Sequence, residues 1–230
     1  TTKSTHKNTC CSYLTTIIET SLNKTRLLAT LSLYSSKSIQ NQMGINLEKN
    51  TSINLTKAEP GLSNLHIGLG WDAEDSKGNA IDCDVSVFML NQNAKIPGDG
   101  FFVFYNNLTS SDGSTVHQGD NTDGEGDGDD EEIKINLSKV DSSIIELVFV
   151  VTIHDADKNG QDFSMVDNPF IRILNDSNNE ELCRYNLDSS FAGSDSVVIG
   201  NVYRSGNDWE FGTLEDAYSG GLGGLLAVYN

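Results

Sequence analysis

From Asp120 to Glu132, eight of thirteen residues are carboxylates and none is Lys or Arg. Like charges at that density repel, so the segment is either open in water or held closed by a cation. Gly124, Gly126 and Gly128 fall at every other position. There they let the backbone take positive φ and turn its carbonyls inward. Carboxylates, amides and carbonyls are the donors that a hard cation such as Ca²⁺ gathers, roughly six to eight at a time. Acidic runs are usually solvated linkers, so the flanks decide. Before the segment comes Phe101-Phe102-Val103-Phe104-Tyr105, an aromatic strand-like run, and after it Ile133-Lys134-Ile135-Asn136-Leu137, a strict apolar/polar alternation. An acidic segment tied between two strands is a long loop inside a domain, and such loops are usually functional.

The rest of residues 43–230 reads as short strands at 44–48, 51–56, 64–71, 83–91, 101–105, 132–138, 144–154, 169–175, 181–187, 195–204 and 208–213. Turn signals separate them, among them Pro60-Gly61, Pro97-Gly98-Asp99-Gly100, Asp112-Gly113 and Ser205-Gly206-Asn207. Residues 144–153 are almost continuously apolar, which predicts a central strand buried on both faces. Helical hints are confined to Gln161–Val166 and to the stretch after Leu214. This pattern predicts an all-β fold, an antiparallel β-sandwich with long acidic metal-binding loops at one end and few short helices.

Two more acidic clusters stand at predicted strand ends. In Asp82-Cys83-Asp84 the two aspartates face one way, and Cys83, Val85, Val87 and Met89 the other. In His154-Asp155-Ala156-Asp157 the aspartates can again share a face. Asp155-x-Asp157-x-Asn159-Gly160 begins like an EF-hand loop, but Val166 stands where a bidentate Glu is needed, which excludes that motif.

Residues 1–42 carry five basic residues against Glu19 alone, in a chain whose net charge is −18. The remaining body is therefore strongly acidic, which excludes nucleic acid and anionic membrane as partners. No apolar run is long enough to span a membrane. The 1–42 segment, basic and rich in Ser and Thr, is expected to be a disordered tail outside the 43–230 domain, with organelle targeting as the alternative. Cys10 and Cys11 are adjacent and cannot easily pair. Cys83 and Cys183 lie in strand-like runs, where a free thiol acts as a small hydrophobe. This usage suggests a reducing compartment, hence the cytoplasm. The absence of C-x-x-C and of any His/Cys cluster argues against zinc. None of His6, His66, His117 and His154 has a nucleophile partner in a recognisable motif, and no G-x-S-x-G or P-loop occurs. The reading is a binding module rather than an enzyme.

At this point the motifs converge on one family. Ala58-Glu59-Pro60-Gly61-Leu62, Gly68-Leu69-Gly70-Trp71-Asp72, Asp82-Cys83-Asp84-Val85-Ser86-Val87-Phe88 and Val103-Phe104-Tyr105-Asn106 come first. Gly119-Asp120-Asn121 through Gly128-Asp129-Asp130-Glu131, Ile153-His154-Asp155-Ala156-Asp157, Asn168 to Arg172 and Val202-Tyr203-Arg204 follow in order. From Met43 to about Tyr229 the chain resembles the TerD family of tellurium-resistance and calcium-binding stress proteins. The resemblance implies a β-sandwich that binds two Ca²⁺ through acidic loops at one end. It also implies a role in resistance to tellurite, other stresses or phage, with other stress-response proteins as partners. Carried onto this chain, the ligands are Asp120, Asn121, Asp129, Asp130 and Glu131, with carbonyls of Gly124, Gly126 or Gly128. Asp72, Asp82, Asp84, Asp155 and Asp157 help close the sites. Asp123 replaces a usual Thr and adds a carboxylate, Glu210 stands where Lys is frequent, and residues 1–42 are not a family feature. Some eukaryotic relatives suggest a cyclic-AMP-binding alternative, and metal with paired carboxylates a Ca²⁺-dependent hydrolase.

Overall fold

The computed structural model describes residues 44–72, 81–119, 128–187 and 191–230. Twelve strands form two six-stranded sheets. One sheet runs β1 (Ile45–Asn46), β10 (Glu180–Asn186), β9 (Asp167–Asn175), β3 (Asn64–Asp72), β7 (Glu131–Asn136) and β6 (Thr115–His117). The other runs β2 (Ser52–Asn54), β12 (Asp208–Tyr218), β11 (Ser196–Ser205), β8 (Ile144–Ile153), β4 (Cys83–Asn91) and β5 (Phe102–Val103). All pairs are antiparallel except β1 with β10. The expected sandwich is therefore the fold.

Alternation along each strand makes the interior. Leu65, Ile67, Leu69 and Trp71 of β3, Ile133 and Ile135 of β7, and Ile171 and Ile173 of β9 face Cys83, Val85, Val87 and Met89 of β4 and Leu147, Phe149 and Val151 of β8. Each large apolar side chain of this kind adds about 1.5–3 kcal/mol on full burial. β8 is central, between β11 and β4, and is buried on both faces as its composition requires. Its outer residues Val148 and Val150 join Phe88, Leu90 and Val198 in a second, smaller core. That core is roofed by a C-terminal helix, Gly221–Tyr229, which inserts Leu225.

Several boundaries differ from the sequence expectation, three of them for a clear local reason. Residues 55–58 form a helical turn, α1 (Leu55–Ala58), because Asn54 accepts a hydrogen bond from the Lys57 N–H and caps it. β12 continues to Tyr218, where helix was expected, because Asp216–Tyr218 pair with Ser196–Val198 at the start of β11. β8 stops at Ile153, and residues 156–159 form a second turn, α2 (Ala156–Asn159), ahead of α3, the C-terminal helix. Among the described residues no helix is long and apolar enough to cross a membrane.

Candidate metal centre

Three consecutive carboxylates at the start of β7 point in three directions. Glu131 faces inward, in the same alternation as Ile133 and Ile135. Its carboxylate crosses the top of the core and accepts the Val85 N–H of the opposite sheet. The buried imidazole of His117 lies 3.7 Å away. Asp130 stays at the sheet end, where its Oδ2 accepts the Trp71 N–H at 2.9 Å and its own N–H donates to the Leu69 carbonyl. Asp129 lies on the outer face of β3. There Gly68, flanked in register by Glu132 and Arg172, leaves a slot without a side chain. A Cβ on Gly68 would sit 2.1 Å from Asp129 Oδ2. Arg172 closes the slot, donating from Nε to Oδ1 at 2.8 Å and from its terminal nitrogen to Oδ2 at 3.0 Å. The Asp129 side chain is only 2% exposed.

This end of the sandwich is strongly negative. The Cys83 thiol has its pKa raised well above the ordinary value by burial first, then by Asp82, Asp84, Glu131 and Asp130. Among the described residues, the charges that raise this thiol are carboxylates, with Asp84 on one sheet and Glu131 on the other. Gly128, which leads into the cluster, has φ of +128°, the glycine-type conformation the sequence demanded there.

A second group surrounds a cleft of about 340 Å³ lined by Asp84, Asp155, Asp157, Asp195, His154 and Tyr105, among others. Asp84 is on the outer side of β4, opposite Cys83, as alternation predicts, and its Oδ2 lies 3.4 Å from His154 Nδ1. Asp155 and Asp157 do not share a strand face. The chain turns at Asp155, which is left-handed at φ 51°, and Asp157 lies within α2. Both oxygens of Asp155 accept from Lys158 Nζ at 2.7 Å. Asp195, absent from the sequence reading, accepts from the N–H groups of Gly220 and Gly221 at 2.9 Å each and anchors the start of α3. Asp72, at the end of β3, accepts from the Asn168 side chain at 2.6 Å. Asp120, Asn121, Asp123, Gly124 and Gly126 lie outside the described residues.

Arg172 and the Gly68 slot were not foreseen. Beyond the family motifs that contain them, their sequence trace is a glycine pair, Gly68 and Gly70, inside an otherwise regular strand, which marks close approach of another group.

Comparison with known proteins agrees with this architecture. The TerD domain matches residues 43–229. Tellurium resistance protein TerD of Serratia marcescens is 46% identical over 187 residues, covering 81% of this chain and 97% of that protein. General stress protein 16U of Bacillus subtilis (strain 168) is 43% identical over 188 residues, with 81% and 97% covered. The crystal structure of a homologue of telluride resistance protein (TerD) from Streptomyces coelicolor A3(2) shares the fold. Its TM-score is 0.58 at 20% identity, covering 72% of this chain and 96% of that one. By the span of the domain match and by identity to these relatives, the chain belongs to the TerD family.

Proposed function

We propose that this protein is a calcium-binding module of the tellurium-resistance and stress-response type, acting in the cytoplasm by binding rather than by catalysis. The observation that carries this reading is the convergence of the carboxylates Asp82, Asp84, Asp130 and Glu131 around Cys83. Such a set supplies hard oxygen donors, which fits Ca²⁺ and suits a soft metal poorly. The segment 120–127, which joins this end in sequence, would add Asp120, Asn121 and Asp123 and the carbonyls of Gly124 and Gly126. Asp130 and the Gly128 carbonyl would complete a first site. Asp84, Asp155 and Asp157, brought to one cleft, would hold a second ion, with Lys158 displaced from Asp155. When bound, calcium supplies the charge that offsets carboxylate repulsion. Asp129 is left out of this set because its carboxylate sits over Gly68 on the outer face of β3, whereas Asp130 stays at the sheet end beside Trp71. The four carboxylates lining the cleft disfavour the phosphate of a cyclic nucleotide.

Calorimetric titration of the full chain with Ca²⁺ tests this reading. We expect about two ions with dissociation constants of roughly 10⁻⁷–10⁻⁵ M. Asp130→Asn should weaken one of them and Asp129→Asn neither. Absence of binding heat, or equal competition by Mg²⁺, would overturn it.

A further inference from the structure

The outer face of the β3 sheet carries a group of ligating side chains that the calcium reading does not use. His66 and Gly68 are successive outward positions of β3, and Gly68 is in register with Glu132 of β7. The carboxylate of Asp129 fills the slot above Gly68. His66 Nε2 therefore faces two carboxylates, Glu132 Oε2 at 3.2 Å and Asp129 Oδ2 at 3.8 Å. One ligand atom from each of the three residues lies within 4.8 Å of the others. The imidazole is largely buried, its side chain 13% exposed, and Nε2 makes no hydrogen bond of acceptable geometry. A buried ring nitrogen aimed between two carboxylates without bonding either is an unmet polar group.

We propose that His66, Asp129 and Glu132 form a binding site for a borderline divalent cation of the Zn²⁺ or Co²⁺ class. With metal–ligand bonds of about 2.0–2.2 Å, ligand atoms on one ion stand about 3.0–3.5 Å apart. The His66–Glu132 edge already has that length, and the His66–Asp129 edge needs a few tenths of an ångström. One imidazole with two carboxylates is donor chemistry for Zn²⁺ or Co²⁺ rather than for Ca²⁺, which takes oxygen alone. Asp129 is pre-oriented: its slot and the two Arg172 hydrogen bonds fix the carboxylate, as outer partners fix ligands in built metal sites. Glu132, 38% exposed, is the arm free to swing onto the ion. Three protein ligands leave positions for water. The guanidinium beyond Asp129 opposes a cation, so binding is weaker than at a closed structural zinc site. This departs from the sequence expectation against zinc, which considered only residues adjacent in the chain; strand register, not a motif, brings these three together.

The test uses the full chain saturated with Ca²⁺ and titrated with Co²⁺ as a visible probe. One equivalent of Co²⁺ should give ligand-field bands without a thiolate charge-transfer band, and Zn²⁺ should displace it. His66→Ala and Glu132→Gln should each weaken Co²⁺ binding at least about tenfold while leaving the calcium isotherm unchanged. Glu132→Gln is the control for folding, because that side chain is partly exposed. An isotherm unchanged in both variants, or a spectrum dominated by thiolate bands from Cys10 and Cys11, would overturn the proposal. His66 would then be an ion-pair partner of the two carboxylates and nothing more. The calcium isotherm of the unaltered protein tests the separate calcium reading, so the two can fail independently.

Discussion

Replacing Gly68 with Ala adds one methyl group, yet it should rank among the most damaging single changes on this face. The new Cβ would lie 2.1 Å from Asp129 Oδ2, 2.2 Å from Cγ and 2.4 Å from Oδ1. β3 cannot retreat, because it is hydrogen-bonded to β7 on one side and β9 on the other. The carboxylate must therefore leave the slot, and Arg172 loses two charge-assisted hydrogen bonds. Breaking a buried pair costs about 3–5 kcal/mol. Arg172 is 25% exposed and keeps Glu181 at 3.4 Å, which places the loss near the low end, about 3 kcal/mol. For a domain of this size that is a fall of roughly 6–12 °C in Tm. Urea unfolding of four proteins measures it: the parent, Gly68→Ala, Asp129→Ala and the double variant. Once the carboxylate is gone the three closest contacts of the methyl group are gone with it, so the double variant should be no worse than Asp129→Ala alone. The two losses should thus fail to add by about 2 kcal/mol or more. A Gly68→Ala loss under about 1 kcal/mol, or two losses that simply add, would refute the slot.

Arg172→Met should destabilise by about 3 kcal/mol or more, since Asp129 is left buried and uncompensated, and Arg172→Met/Asp129→Leu should recover part of this in the same unfolding assay. Burial alone would raise the pKa of Asp195, but hydrogen bonds from Gly221, Gly220 and Ser196 outweigh it and hold the carboxyl below its ordinary 3.8. The stability this adds is complete above that value and is lost as pH falls below it. The deficit of Asp195→Asn at pH 7 should therefore shrink below about pH 4, and a deficit constant from pH 3 to 7 would contradict the cap. Burial, and then Glu181, pushes the Cys183 thiol up to about 12, and the Cys83 thiol is raised as well. In a Cys10→Ser/Cys11→Ser protein, a thiol reagent at pH 8 should thus modify nothing until denaturant is added. Deleting residues 1–42 should leave calcium affinity and melting temperature unchanged, given a domain match that begins at residue 43; a drop of several degrees would show that the segment supports the domain.

The sandwich was legible because its strands obey the simplest rule available, apolar inward and polar outward, with β8 apolar on both sides because a helix roofs it. What the sequence hid were features set by partners distant in the chain. β6 is three residues, Thr115–His117, within a stretch rich in Ser, Asp and Gly, and exists only because β7 pairs with it. Asp129, Asp130 and Glu131 look equivalent as neighbours in one acidic run. Their separation into outer face, edge and interior follows from where β7 begins its alternation, and that start is fixed by pairing with β3. Arg172 lies 43 residues from Asp129, so no local pattern could connect them. Asp155 and Asp157 were expected to share a face at the end of the apolar run, and a left-handed turn at Asp155 separates them.

The sheet order has a further consequence for how the molecule meets its own copies. Among the described residues each sheet ends at both margins in a fragment: β1 and β5 of two residues, β2 and β6 of three. β1 and β2 come from one short stretch, Ile45 to Asn54, that covers β10 of one sheet and then β12 of the other. The long strands that could template a growing fibril, β12 at eleven residues above all, are thus kept from presenting a free row of backbone donors and acceptors along their full length. Short, irregular margins of this kind are how β proteins avoid edge-to-edge aggregation. A chain built largely of apolar strands therefore gains its colloidal safety from ten residues that contribute little to the interior.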